Sequence, residues 1–224
     1  MTECRKLCSI DEAVGKIRCG DWIMVSGFGN SGVPDRMIEA LADSGLKHLN
    51  FITCGFGAGP GIGLGRILRN GQVDRIIGTH FNRNPEVITY SVSGKIQLTL
   101  LPLGTLIESI RAGGAGIPAY YTPVGVGTDL CKGKEIREFH GRKYVLEEAL
   151  HADVALICAN EADTLGNLVY YKTAKNFNPA MATAADTVIA EVKKLVPAGA
   201  LDPELVFTPH IYVDCMVMRN DETD

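Results

Sequence analysis

Over its first half the chain repeats one pattern: a short apolar run of β-prone residues, a turn built on Gly, Asn or Pro, then apolar residues at helical spacing. Runs at 22–25, 49–53, 73–79 and 96–101 read as strands. A segment with Pro34 in its first turn and those at 63–69, 85–92 and 103–111 read as the helices that follow them. A strand covered on both faces can be apolar throughout, as Trp22-Ile-Met-Val25 is, whereas a half-solvated strand alternates. The pattern therefore predicts an α/β fold: a three-layer, open, mostly parallel sheet with flanking helices. With 224 residues, 46% hydrophobic and 21% charged, the chain can build one substantial core. No linker divides it, so a single domain over 1–224 is expected.

Elsewhere the reading is less regular. Ser9-Ile-Asp-Glu12 reads as a capping box, followed by Ala13, Val14 and Ile17 at helical spacing. Residues 113–128 are rich in Gly and Pro without a sustained period and read as a long ordered loop. His140-Gly141, between stretches at 134–139 and 143–146, predicts a small β-hairpin extension. Strands are expected at 153–159, 167–171, 187–192 and 211–217, with a helix near 179–185.

Composition excludes several functions. No apolar run approaches the roughly 20 residues of a membrane helix, and residues 1–10 lead into no apolar stretch, so a cytoplasmic protein is expected. The seven cysteines (Cys4, Cys8, Cys19, Cys54, Cys131, Cys158, Cys215) contain no C-x-x-C pair and read as reduced structural thiols. A net charge of −4 without a basic cluster lacks the footprint that neutralises phosphates, so no nucleic-acid partner is expected. No two histidines stand at metal-ligand spacing, and His48, His140 and His151 read as surface or loop residues. No G-x-S-x-G elbow presents a serine, and no Gly-Lys pair is followed by the hydroxyl residue of a phosphate loop.

Four motifs remain. Gly27-Phe-Gly-Asn-Ser-Gly32 fits the dinucleotide pattern, but the second strand ends Phe51-Ile-Thr-Cys54, without the acidic residue that holds ribose hydroxyls. As a tight turn it needs glycines for positive φ, and its bare N–H groups can approach a ligand oxygen. Alternate glycines from Gly55 to Gly65 suit a ligand-contacting loop or a plain flexible connection. His80-Phe-Asn-Arg-Asn-Pro85 follows a strand, where open α/β sheets bind ligands; Asn82 and Asn84 suit a carboxylate or thioester carbonyl, or simply a turn. Asn176-Phe-Asn178-Pro179 has the same two readings, with Asn178 favoured as a helix N-cap.

Longer stretches resemble a known family. Ile23-Met-Val-Ser-Gly-Phe-Gly-Asn-Ser-Gly-Val-Pro34 resembles the signature of family I coenzyme A transferases, an apolar triplet leading into Gly-Gly-Phe, then Gly and Pro. Gly104-Thr-Leu-Ile-Glu-Ser-Ile-Arg-Ala-Gly-Gly-Ala-Gly-Ile-Pro-Ala-Tyr-Tyr-Thr-Pro-Val-Gly-Val-Gly-Thr128 is similar to the long loop of alpha subunits of the 3-oxoacid, acetate and butyrate–acetoacetate types. Ala162-Asp-Thr-Leu-Gly-Asn-Leu-Val-Tyr170 and Ala174-Lys-Asn-Phe-Asn-Pro179 extend the resemblance over nearly the whole chain. Ser26 departs from the first glycine of Gly-Gly-Phe, Cys19 from a usual Asp or Asn, and Leu103 from a frequent Gln.

The resemblance implies the transferase-type α/β fold and a two-subunit enzyme, a heterodimer or heterotetramer. It implies no cofactor, because CoA is a substrate, and no metal. It places the nucleophilic glutamate in a Ser-Glu-Asn-Gly setting on the beta subunit; this chain lacks that sequence, and Glu161 in Ala-Asn-Glu-Ala-Asp reads as structural. No catalytic residue is then expected here. Gly27, Phe28, Gly29, Asn30, Gly32, Asn82, Asn84, Gly113, Gly114 and Gly116 would bind substrate, covering the partner's nucleophile. Phe28, Ile117 and Tyr120 would line an acyl pocket, and without a carboxylate-clamping arginine in these loops monocarboxylic acids would be preferred over succinate. Two other readings are a nicotinamide-dependent dehydrogenase and a non-catalytic stabilising subunit.

Overall fold

The computed structural model of the protein describes residues 6–219, so Cys4 and the outer ends of the 1–224 domain lie outside the described residues. The capping box opens α1 (Ile10–Val14): Glu12 N–H donates to Ser9 Oγ at 3.2 Å, and Ser9 N–H donates to the Glu12 carboxylate at 2.8 Å. The repeated pattern then folds as β1 (Trp22–Val25), α2 (Asp35–Asp43), β2 (Leu49–Thr53), α3 (Leu64–Arg69), β3 (Val73–Gly78), α4 (Glu86–Val92), β4 (Gln97–Leu100) and α5 (Leu103–Gly114). After α5 come β5 (Ala119–Thr122), β6 (Ile136–Phe139), β7 (Arg142–Glu148), β8 (Ala152–Asp163), β9 (Leu168–Val169), α6 (Asn178–Thr183), β10 (Ala185–Val196) and β11 (Cys215–Met218).

The main sheet has the order β11-β10-β8-β1-β2-β3-β4, all parallel, with the short β9 antiparallel to β8. Because successive side chains of a strand leave on opposite faces, each strand serves two cores. Ile23, Val25, Phe51 and Leu156 pack with Met37, Ile38 and Leu41 of α2 and Ile67 of α3. Met24, Ile52, Ala155 and Ile157 pack on the other face with Leu106 and Ile110 of α5 and Met181 of α6. The expected three layers are formed. No helix among the described residues is long and apolar enough to cross a membrane, and the six described cysteines are free.

Three local expectations are corrected. The stretch 113–128 is not one long loop: α5 runs through it to Gly114 and ends in a Schellman turn, Gly116 N–H donating to Gly113 O and Ile117 N–H to Ala112 O. β5 follows and pairs with β7, turning the expected hairpin into a three-stranded antiparallel sheet, β5-β7-β6. The expected strand at 211–217 is a 3-10 turn (His210–Tyr212) followed by β11.

Candidate functional site

A cavity of about 410 Å3 lies at the carboxyl ends of β1, β2 and β3, with α2 and the start of α3 closing one side. This is beside the point where the strand order reverses: β1 has β2 on one side and β8 on the other, the place where open α/β sheets hold ligands.

The first wall is the loop leaving β1. Buried Ser26 donates its hydroxyl to Gly32 O at 3.0 Å, tying the two ends of the loop together. Phe28 and Ser31 exchange backbone hydrogen bonds at 3.1 Å, which puts Gly29 and Asn30 at the tip of a tight turn. The turn demands left-handed backbone, and Gly27 (φ 118°) and Gly29 (φ 63°) supply it. The outer side of the loop is fastened by Asn176, whose amide donates to Ser31 O at 3.0 Å, and by Asn178, which donates to Gly32 O at 3.2 Å. Asn178 is fully buried in the first turn of α6, not its N-cap; its Oδ1 accepts from Cys158 N–H at 2.7 Å. That side chain joins the end of β8 to the β1 loop.

The second wall is Thr53, Cys54 and the glycine-rich loop up to Leu64. The third comes from the turn after β3. Thr79 Oγ1 donates to Cys54 O at 2.6 Å, so its lone pair receives the Nδ1–H of His80 at 2.9 Å. This fixes the neutral His80 tautomer with Nε2 as an acceptor. Cys54 Sγ lies 3.5 Å from Thr79 Oγ1, and burial pushes its thiol pKa up, so the thiol stays protonated.

Of the expected substrate-binding residues, Gly27, Gly29, Asn30 and Asn84 line this cavity. Asn84 is buried; its amide donates to Phe56 O at 3.0 Å, holding the second wall to the third, and its Oδ1 has no hydrogen-bond partner. Phe28 is half exposed, its ring 6.2 Å from that of Phe177, and it and Asn82 are outside the lining. Gly32 is filled by protein: a Cβ there would meet Ala174 O at 2.5 Å. Gly113 and Gly114 let α5 approach its neighbours, since a Cβ would lie 2.0 Å from Leu150 O and 2.2 Å from Thr183 Oγ1 respectively. Together with Gly116 they shape the helix end, and the structure does not bring them to the cavity. Ile117 and Tyr120 are equally outside the lining; the Tyr120 hydroxyl donates to Thr105 O at 2.9 Å.

Sequence reasoning left out three charged side chains of the lining, Asp35, Glu39 and Arg83. Asp35 is paired with Arg219 at 2.9 Å and Glu39 with Arg66 at 2.8 Å. Arg83 instead donates through Nη1 to the neutral Asn30 Oδ1 at 3.2 Å, so the premise that no arginine is ready for a carboxylate does not hold. Glu161 lies outside the cavity and pairs with Lys194 at 3.2 Å. Among the described residues no group of His, Cys, Asp or Glu is placed to hold a metal.

The comparisons with known proteins agree with this geometry. The model of the coenzyme A transferase family matches residues 8–218. One of the two kinds of chain of the succinyl-CoA:3-ketoacid coenzyme A transferase of Helicobacter pylori is 47% identical over 91% of this chain and 88% of its own length. The alpha chain of the acetate CoA-transferase of Escherichia coli is 42% identical over 96% of this chain and 98% of its own. Two solved structures share the fold. An Escherichia coli acyl-CoA transferase, as a thioester complex with CoA, superposes with TM-score 0.85 at 23% identity over 97% of this chain; this chain spans 48% of that one. Glutaconate coenzyme A-transferase of Acidaminococcus fermentans gives 0.83 at 20% identity over 95% of this chain and 75% of its own. A parallel sheet with its cavity beside the strand-order reversal, and a family match from end to end of the described fold, make this chain a member of the coenzyme A transferase family.

Proposed function

We propose that this chain is the alpha-type subunit of a coenzyme A transferase that moves CoA from a short-chain acyl-CoA to a carboxylic acid, through a glutamyl-CoA thioester formed on a second subunit. One observation carries the division of labour: the cavity is walled by glycine loops and apolar side chains, but both of its carboxylates are held by arginines. Neither Cys54, kept protonated by burial, nor Ser26, whose hydroxyl is committed to Gly32 O, is activated by a base. The relatives are named as single subunits of their enzymes, which supports a partner chain here, in a heterodimer or heterotetramer.

In this scheme a partner carboxylate oxygen attacks the thioester carbonyl, the C–S bond breaks, and CoA leaves as thiolate, giving a mixed anhydride. The thiolate then attacks the glutamyl carbonyl, releasing the first acid and leaving enzyme-bound CoA thioester. A second carboxylate reverses the steps. CoA is a substrate here, and the exchange conserves the thioester bond. The loops at Gly27, Gly29 and Asn30 and the turn at Asn84 would wall the acyl group, exclude water and orient it. Any N–H aimed at the developing oxyanion would contribute on the order of 100- to 1,000-fold in rate.

The test is chemical. Purified alone, the chain should transfer no CoA. With its partner and an acyl-CoA but no acceptor, hydroxylamine should convert one glutamate to a hydroxamate, read by mass spectrometry on the partner only. A mass change on this chain, at Glu161 or any other glutamate, would overturn the division of labour.

A further inference from the structure

The cavity's charges are unevenly committed. Asp35 and Glu39 are neutralised by Arg219 and Arg66, while Arg83 has a single hydrogen bond, through Nη1, to an uncharged amide oxygen. Among the described residues its guanidinium forms no ion pair, leaving Nε and Nη2 as donors without a partner. The guanidinium lies over the tip of the β1 loop, where Gly29 leaves it room: a Cβ on Gly29 would stand 3.7 Å from Arg83 Nη1. A planar fork of donors held on one side by Asn30 and open on the other matches a carboxylate, which accepts two parallel N–H bonds. The remaining lining is glycine and apolar side chains such as Ile38, Phe56, Ile62 and Leu64, suited to methylene groups.

We propose that Arg83 selects acyl groups that end in a second carboxylate, pairing its guanidinium with that carboxylate at the tip of the β1 loop. This rests on the function proposed above and names the substrate class of the same cavity. A phosphate of CoA offers the same anionic oxygens, but it is common to every acyl-CoA, whereas the distal carboxylate is present in only some.

The experiment compares succinyl-CoA with butyryl-CoA, donors of equal chain length that differ in the terminal carboxylate. It uses the complex of the partner chain with wild type, Arg83→Ala or Arg83→Lys. The reading is the ratio of kcat/KM for the two donors. Arg83→Ala should lower the succinyl to butyryl ratio by about 10- to 100-fold, the scale of one charge-assisted pair, and Arg83→Lys should lower it less. If Arg83→Ala abolishes both activities, the ratio of Arg83→Lys decides. An unchanged ratio, with both donors losing equally, would place the guanidinium on a CoA phosphate or in the scaffold and overturn the assignment while leaving the transferase reading intact. A wild-type complex that transfers CoA from neither donor would overturn both.

Discussion

The loop at 27–32 and the helix end at 113–116 each carry three glycines, and the fold uses them differently. At Gly29 the missing side chain leaves open space beside a cavity; at Gly113 and Gly114 the same absence lets a helix settle onto Leu150 and Thr183. Gly32 shows that the division runs inside the loop as well, since its space is taken by Ala174 O and the amides of Asn176 and Asn178. A glycine in sequence reports that a side chain cannot be accommodated. Whether protein or ligand claims the room depends on what the topology brings alongside, and here the sheet order brings β2 and β3 to the first stretch and α6 to the second.

Substitutions can break this contrast. The largest effect is expected for Gly113→Ala, whose methyl would sit 2.0 Å from a backbone carbonyl with no flexible atom to yield. Urea denaturation should show a loss of about 3 kcal/mol or more, at the upper end for overpacking, and an unchanged midpoint would refute the packing role.

Next is the support under the exit of the β1 loop. Fully buried Glu191 on β10 accepts from Met37 N–H at 3.0 Å, with Arg219 Nε at 3.5 Å and Asp35 and Cys158 nearby; Arg219 also donates to Val33 O. Burial raises its carboxyl pKa to about 7 against the attraction of Arg219 and the Met37 N–H. Since the folded value exceeds the unfolded 4.5, the folded chain holds a proton that the unfolded chain has released, and stability falls as pH rises between these values. Relative to Glu191→Gln, the wild type should lose on the order of 3 kcal/mol from pH 4 to pH 8. Parallel stability curves for the two proteins would show that the group does not titrate in this window.

Gly29→Ala should cost only about 1 to 2 kcal/mol, the strain of a left-handed alanine. It should nevertheless lower kcat/KM of the complex by roughly 10-fold, because its methyl enters the cavity beside Arg83. Full activity would remove the loop from the site. The smallest effect is expected at Gly116, which has φ 71° and nothing within 4 Å of a built Cβ. Gly116→Ala should cost about 1 kcal/mol and leave turnover within about twofold, since its only role is to stop α5.

Much of the fold was legible because the βα units declare themselves locally: apolar runs such as Trp22-Ile-Met-Val25 have no other use, and Ser9 and Glu12 are a self-contained cap. The end of α5 was not, because Gly113 and Gly114 lower helix propensity and their compensation, contact with Leu150 and Thr183, is tertiary. The signal that could have found the boundary is Gly116, a C′ glycine two residues beyond the last helical turn. In the site, strand ends and loops could be read, since ligands gather there whatever the side chains. The role of Asn178 could not, because an asparagine before proline looks like a cap until β8 is known to end beside it. Nor could the contrast between Arg83 and the paired acids, which depends on Arg66 and Arg219 reaching them from elsewhere.

The central position of β1 also bears on how the chain is made. Its partner on one side, β2, follows within 30 residues, but on the other side Trp22 N–H waits for the carboxylate of Asp153, 131 residues later. A ribosome therefore releases β1 to β4 well before β8, and the growing chain carries an unpaired apolar edge at β1 through most of translation. Slow elongation through the small antiparallel sheet would prolong that exposure, and chaperone demand should peak on nascent chains that stop short of β8.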